Sequence, residues 1–150
     1  MSEKVIERAS ELISSKSGYI GGGMEGCAVI SLIDEDGYPT SSTFTIARAD
    51  GIKWITLATS PDSNKAKRIA KNNRASICLS SSGYNINLVG TVEVVEDMDV
   101  KKENWFEPMA GMWSGPEDPN FYLLRFNTER YSMFFADEME APEAVGVLAK

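Results

Sequence analysis

The sequence predicts a mainly β protein in which about six to seven antiparallel strands form a small, closed or partly closed barrel with helices at its periphery. Short runs rich in β-branched and aromatic residues recur along the chain, and Asp-Gly turns separate several of them. Apolar residues at helical spacing are confined to three short segments. Closure would leave few exposed strand edges. With 43% hydrophobic and 25% charged residues, the chain is expected to form one domain over residues 1–150.

The first segment predicts a helix over residues 2–16. Val5, Ala9 and Ile13 recur at helical spacing, and Ser2 is the candidate N-cap. The following "SGYIGGGMEG" predicts a loop. Its glycines lack the GK[ST] ending of a P-loop, and no strand precedes them as a dinucleotide-binding fingerprint requires. We therefore interpret this stretch as a connection.

The next three runs predict an antiparallel meander. They are "CAVISLID", "TSSTFTIAR" and "KWITLAT", joined by the turns "EDGYP" and "ADG". In the middle strand, Phe44 and Ile46 point to one side, which can enter a core. Thr43, Thr45 and Ala47 point to the other side, which is therefore small and hydroxyl-bearing.

The second half of the chain predicts two further helices and four strands. A short helix begins after a cap at Asp62 or Ser63, and another is expected over residues 99–106. Strands are expected in "ASICLSS" and in "YNINLVGTVEVVED", with Gly90 as a candidate bulge. "FYLLRFN" and "RYSMFFA" are expected to form a final hairpin through "NTE". The acidic tail, residues 137–150, is expected to be loosely ordered.

The composition excludes several classes of function. The chain has no histidine, which removes histidine-ligated haem, zinc sites with histidine and nucleophiles activated by histidine. The net charge of −7 argues against a nucleic-acid partner, because a duplex requires a broad basic face. No apolar run approaches the ~20 residues of a membrane span, and the N-terminus is too polar for a signal peptide. We expect a cytoplasmic protein without membrane association, whose chemistry would come from a cofactor.

Several thiols and aromatic side chains have a structural interpretation. Cys27 and Cys78 stand singly in apolar runs and are expected to be buried free thiols, which fits a reducing compartment. Trp54 is expected in the barrel core. Trp105 and Trp113, with nearby phenylalanine and methionine residues, are interpreted either as core or dimer interface or as the roof over a planar ring.

The stretch "LATSPDSNKAKRIAKNN" predicts an anion-binding site. It places Lys65, Lys67 and Arg68 near the start of a helix, where the macrodipole favours anions rather than cations. The first amides of that helix have no internal partner. The hydroxyls of Ser60 and Ser63, with the Lys65 ammonium, would complete a pocket for a dianionic phosphate. The alternative is that these cations are solvated helix positions.

Four stretches in register carry a resemblance to a known family. They are "TFTIAR" (43–48), "ATSPDSNKA" (58–66), "GTVEVVED" (90–97) and "NWFEPMAGMWSGPEDPNFYLLRF" (104–126). Their order and spacing, over nearly the whole chain, resemble the flavin-binding split-barrel family typified by pyridoxamine 5'-phosphate oxidase, in its general stress protein branch. The resemblance implies a split β-barrel, flavin mononucleotide (FMN) as cofactor, and a homodimer with the cofactor site at the subunit interface.

The resemblance also implies cofactor-binding residues on the middle strand of the meander and in the turn that leads into the helix. They are Thr43, Phe44, Thr45, Thr59, Ser60, Ser63, Asn64 and Lys65. Within this set, Ser63, Asn64 and Lys65 would hold the phosphate. Thr59 would approach the isoalloxazine edge, and the backbone around Phe44 would line the ring. The resemblance implies no metal, and we assign no catalytic residue.

Departures from the oxidase pattern weaken the implied phosphate site. Thr43 stands where the oxidases carry a phosphate-binding arginine, and Asn64 stands where they often carry a second one. Losing one or two charge-assisted contacts of ~1.5–3 kcal/mol each would weaken flavin binding ~10- to 10⁴-fold. The substrate-recognition residues of the oxidases, including a histidine, have no counterpart, so pyridoxine phosphate is not expected as substrate. Asn85 is a candidate for the family's amide that reaches the flavin.

Three functions fit this sequence. The first is an FMN-dependent oxidoreductase that receives electrons from a reduced nicotinamide or another flavin. The second is a non-enzymatic flavin carrier or stress sensor on the same scaffold, which the departures at Thr43 and Asn64 favour because a weakened site need not turn over. The third is a deazaflavin-dependent reductase, which would need more cations than this site offers.

Overall fold

The structure, a computed structural model, describes residues 3–16 and 27–148. Eight strands, three α-helices and one 3₁₀ helix make up these residues. In chain order they are α1 (Glu3–Ser15), β1 (Cys27–Ile33), β2 (Pro39–Thr45), β3 (Ala49–Asp50), β4 (Trp54–Thr59), α2 (Asn64–Lys71), β5 (Arg74–Ser81), β6 (Tyr84–Val95), α3 (Met98–Glu103), the 3₁₀ helix Glu107–Gly111, β7 (Tyr122–Phe135) and β8 (Glu143–Val147). The predicted cap Ser2 and the glycines at 21–23 lie outside the described residues.

The strands form one antiparallel sheet that curls on itself. The strand order is β2-β1-β5-β6-β7-β4-β3, and β8 pairs with β7. Beyond β2 the chain runs alongside β4 and forms two backbone hydrogen bonds with it. The Ala47 N–H donates to the Thr56 carbonyl at 2.9 Å, and the Thr56 N–H donates to the Arg48 carbonyl at 2.9 Å. Since β2 and β4 lie near opposite ends of the strand order, these bonds join the two sides. The predicted mainly β split barrel is confirmed.

The predicted meander is right for its first two strands, and its third strand pairs with the middle run only at the end next to the "ADG" turn. β1 and β2 form a hairpin in which Val29 lies opposite Thr43. The Asp34 carboxylate accepts hydrogen bonds from two amides of the connecting turn. β4 pairs with β3 at Ala49 and Asp50 and bonds the extension of β2 beyond Thr45, but along its whole length its partner is β7. The reason is a bend: both backbone groups of Arg48 bond to Thr56, which turns the chain away from β1.

β7 is one continuous strand over Tyr122–Phe135, so the predicted hairpin through "NTE" is wrong. "NTE" lies in mid-strand, where the register with β6 shifts between Val89 and Gly90. Gly90 approaches the neighbouring backbone so closely that a Cβ would lie 1.9 Å from the Asn127 carbonyl oxygen. The bulge predicted at Gly90 occurs at this register position, but its extra residue, Glu129, lies in β7, and it accommodates the polar run without a turn.

Two groups of buried side chains lie on opposite faces of β7. The larger fills the barrel and includes Phe44, Ile46 and Leu124, which confirms the predicted inward face of β2. The smaller lies outside β4 and β7, beneath residues 98–121, because Leu123 points away from Leu124. Its buried members are Ala47, Met109, Trp113, Phe121 and Leu123.

The structure favours one interpretation of two tryptophans and corrects the predictions for three other side chains. Trp113 is core, and Trp105 packs edge-to-face on Phe121 at 5.3 Å, which favours the core interpretation. Trp54 is half-buried rather than core, with the Arg125 guanidinium 4.5 Å above its ring. Both cysteines are half-buried rather than buried, because they lie on the outer face of the sheet, and they are not joined in a disulfide.

The two ends of the described chain pack together. Val5, Ala9 and Ile13 are fully buried where α1 packs against β3, β7 and β8. Arg8 of α1 forms ion pairs with Asp137 and Glu138 after β7. The prediction of a loosely ordered tail is wrong for Glu143–Val147, since β8 pairs with β7 and buries Ala144. None of the helices in the described residues has the length and apolarity to span a membrane.

Candidate functional site

The predicted site begins where β4 ends at Thr59. A tight turn follows, in which the Ser63 N–H donates to the Ser60 carbonyl at 3.0 Å. Ser63 is the N-cap of α2, and its Oγ accepts a hydrogen bond from the Ala66 N–H at 3.1 Å. Of the two predicted caps, Ser63 is therefore correct and Asp62 is not. Because the Ser63 hydroxyl acts as acceptor for the cap, its own hydrogen remains available to a ligand.

The start of α2 presents donors and positive charge. Within the described part of the chain, the Asn64 and Lys65 amides have no hydrogen-bond partner, as expected for the first turn of a helix. Lys65 is half-buried, and its pKa is lowered, first by burial and then by the charge of Arg68. Such a cation is energetically costly without a nearby anion.

Arg68 lies one turn further along α2. Its Nη1 donates to the Thr40 hydroxyl of β2 at 3.1 Å. Its Nε is buried without a hydrogen bond, and the Glu35 carboxylate lies 3.7 Å away. The sequence analysis named Arg68 only as one of three cations. Its i+3 spacing from Lys65 is the signal that places both on one side of the helix.

The threonines predicted on β2 lie on the outer face of the sheet. Thr43 is exposed and Thr45 is half-buried, with its hydroxyl 3.8 Å from the Cys27 sulfur. The Phe44 side chain is only 7% exposed and belongs to the barrel core. Only the backbone of Phe44 is therefore available to a ligand.

The fold brings three parts of the predicted site to one region. Arg68 bonds Thr40 and so ties α2 to the start of β2, while the bonds at Thr56 tie the extension of β2 to β4. No hydrogen bond in the described residues joins the β2 threonines to the turn or to α2, apart from that of Thr40. Asn85 is apart from this region, because β6 is three strands from β2 in the sheet order.

A buried polar pair supports β4 from outside. Thr56 and Asn104 are 1% and 2% exposed. The Thr56 hydroxyl donates to the Asn104 side-chain oxygen at 2.5 Å and accepts from the Arg48 N–H at 3.0 Å. The Asn104 side-chain nitrogen donates to the Val100 carbonyl at 2.9 Å. This pair fixes the end of α3 on β4, and the sequence analysis did not identify it because its members are 48 residues apart.

These donors suit a phosphate-bearing ligand. The turn and helix start offer amide N–H groups, hydroxyls and an ammonium, and the one carboxylate near Arg68 among the described residues is that of Glu35. In the described residues no cluster of acidic and cysteine side chains could hold a metal ion. The residues present therefore fit the phosphate of a cofactor such as FMN.

Comparison with known proteins matches this chain to a family of oxidases and to proteins of the same fold, one of them named as FMN-binding. Residues 24–135 match the family model described as pyridoxamine 5'-phosphate oxidase. A Clostridium acetobutylicum protein related to general stress protein 26 superposes with a TM-score of 0.78 at 21% identity, covering 99% of this chain and 97% of that one. General stress protein 26 from Bacillus anthracis gives 0.74 at 21% identity, with 99% and 100% covered. A Nostoc punctiforme protein named as pyridoxamine 5'-phosphate oxidase-related and FMN-binding gives 0.67 at 13% identity, with 99% and 97% covered. No curated protein gave a match.

Proposed function

Residues 24–135 place the chain in the pyridoxamine 5'-phosphate oxidase family, and on that premise we propose that it binds FMN where β2, the end of β4 and the start of α2 meet. The observation that carries this proposal is the half-buried Lys65 beside two helix amides without partners in the described residues. A dianionic phosphate would supply the charge that this position lacks. The FMN-binding name of the Nostoc protein supports the same cofactor.

The proposed roles of the residues follow from their positions. Ser63, Asn64 and Lys65 hold the phosphate through a hydroxyl, two amides and an ammonium, with Ser60 beside them. Thr59 meets the edge of the ring, and the backbone around Phe44 lines its face. When bound, FMN supplies hydride or single-electron transfer. We propose an oxidoreductase that does not oxidise pyridoxine phosphate, because the chain contains no histidine to match the oxidases' recognition residues.

We further propose that the protein is a homodimer that shares this site. One cross-strand row on the outer face of the sheet is uncharged over six strands; it consists of Thr43, Val29, Cys78, Asn87, Ser132 and Val145. An uncharged face of this width suits a contact between subunits. Asn85 lies too far from β2 to serve its own site, so it would reach the flavin of a partner. The two cysteines, which form no disulfide, are in keeping with a cytoplasmic location.

The first experiment is the visible absorbance of the purified protein, followed by titration with FMN and with riboflavin. A yellow protein, or quenching by FMN at sub-micromolar concentration that riboflavin does not match, is the expected result. The comparison isolates the phosphate, because the two molecules differ only there. Equal affinity for both flavins would argue against a phosphate site, and no binding of either would refute the proposal.

A second candidate is a non-enzymatic flavin-binding protein on the same scaffold. It is favoured by Thr43 and Asn64, which are both exposed and replace planar cations with a hydroxyl and an amide. Anaerobic addition of reduced nicotinamide to the FMN-loaded protein separates the two. Loss of the flavin absorbance, restored when oxygen is admitted as electron acceptor, supports the oxidoreductase, and stable absorbance supports the carrier.

A further inference from the structure

We propose that Arg68 is the second positive charge that binds the phosphate. When no anion is bound, the Glu35 carboxylate pairs with the Arg68 guanidinium instead. The inference rests on the proposed FMN site. Arg68 would supply, from a different position, the positive charge that the oxidases' arginines provide and that Thr43 and Asn64 lack. The ligand it recognises is a phosphate monoester.

The first argument is the direction of the side chain. Side chains on an α-helix lean toward its N-terminus, so a residue covers the turn that precedes it. Arg68 follows Lys65 by three residues and therefore leans over the turn that carries the free amides. Its bond to Thr40 holds the guanidinium between α2 and β2, on the side of the helix that faces the sheet.

The second argument is that the guanidinium is incompletely satisfied. Arginine has five N–H donors, yet its buried Nε makes no hydrogen bond in the described residues. Glu35 stands 3.7 Å from that nitrogen, beyond the 2.7–3.2 Å typical of a hydrogen bond. The Glu35 side chain is 57% exposed, and the Arg68 side chain is 24% exposed. A solvated carboxylate at this distance is therefore a weak partner that a phosphate could displace through two parallel N–H···O bonds.

The third argument is the charge balance. Lys65 and Arg68 lie close enough to repel each other, and Glu35 is the one carboxylate within 4.0 Å of either cation among the described residues. An anion between the two would remove this repulsion and bond both. Bound phosphate and the Glu35 carboxylate then compete for Arg68, so removing the carboxylate should favour the phosphate.

The test compares three variants of the full chain by titration with FMN and riboflavin. Arg68→Gln should weaken FMN binding by about 10- to 100-fold, the equivalent of one charge-assisted hydrogen bond, and leave riboflavin unchanged. Glu35→Gln should tighten FMN binding several-fold, again without an effect on riboflavin. Lys71→Gln is the matched control, because it removes an exposed charge from the same helix and should leave both affinities near those of the wild type.

A folded Arg68→Gln protein with wild-type FMN affinity would overturn the inference. If Arg68→Gln does not fold, unchanged FMN affinity in Glu35→Gln would overturn it. A separate measurement uses inorganic phosphate as the probe. If neither flavin binds, the FMN proposal fails. The inference then survives only if phosphate raises the unfolding temperature of the wild type more than that of Arg68→Gln, and an equal rise in both also overturns it.

Discussion

The positive charge of Lys65 is expected to bind the phosphate, yet the same charge destabilises the folded protein when no anion is bound. Burial and the Arg68 charge lower its pKa, so its charged form is disfavoured in the folded protein. Lys65→Ala is expected to weaken FMN binding about ten-fold or more, because one charge-assisted contact is lost. The apparent affinities for FMN and riboflavin measured side by side check this. Unchanged preference for FMN in the variant would disprove the role of Lys65.

The lowered pKa of Lys65 also predicts a pH dependence. The group is protonated below its folded-state pKa, which lies below the ordinary 10.5. FMN affinity should therefore fall as the pH rises through that lowered value, while riboflavin affinity stays constant. The folded protein itself should gain stability over the same window, because there the unfolded chain binds the proton that the folded chain has released. A pH series of both titrations measures the change in FMN affinity, and Lys65→Ala should abolish that change.

Asn104 is a buried polar residue whose truncation should destabilise the fold. Asn104→Ala removes the nearer acceptor of the buried Thr56 hydroxyl, which keeps only the Arg48 carbonyl at 3.3 Å, and it removes the bond to the Val100 carbonyl. The expected loss in free energy of unfolding is about 2–3 kcal/mol, measured by urea denaturation. Asn120→Ala, at an exposed position, is the control and should change stability by less than about 0.5 kcal/mol. A similar small loss in Asn104→Ala would contradict the assigned network.

Site residues with a local sequence signal were predictable, and site residues that meet only through tertiary packing were not. Ser63 was predictable because a hydroxyl before a helix is a typical cap, and Lys65 because a cation there is unusual. Glu35 and Thr40 were not predictable, since each meets Arg68 only after the β1–β2 hairpin has packed beside α2. Contacts between distant segments have no local signature in one sequence.

At the scale of elements, the same limit explains the error at β7. "NTE" has the composition of a turn, and a single sequence cannot show that a bulge opposite Gly90 absorbs it. The strands themselves were predictable from their β-branched and alternating residues. The β1–β2 pairing was predictable as well, but the pairing of β4 with β7 was not, because it depends on the bend at Arg48.

Gly90 provides the test at this scale. Gly90→Ala would put a Cβ within 1.9 Å of the Asn127 carbonyl oxygen, so the ladder between β6 and β7 must shift. We expect a loss of about 3 kcal/mol or more in the free energy of unfolding. Gly83→Ala is the control, because its new Cβ would have no described heavy atom within 4 Å beyond its chain neighbours. Equal denaturation midpoints for the two variants would refute this account of the bulge.

For the whole molecule, the proposed dimer makes the sheet face and the cofactor site interdependent. Size-exclusion chromatography with light scattering should give twice the 16.5 kDa chain mass. Asn87→Arg places a charge in the middle of the uncharged row and should yield a monomer that has also lost FMN affinity. Met139→Arg, at a position 86% exposed and outside the row, is the control. A monomeric wild type, or a monomeric variant that keeps full FMN affinity, would refute the shared site.

The packing of α1 has a consequence for the living cell. α1 leaves the ribosome before β7 and β8, two of the three strands against which it buries Val5, Ala9 and Ile13. At about 5–20 residues per second, those strands follow on the order of ten seconds later. During that interval the apolar stripe of the nascent helix has only part of its docking surface, so it is exposed to chaperones that act at the ribosome exit. α1 thus completes its packing only after most of the described chain has been synthesised.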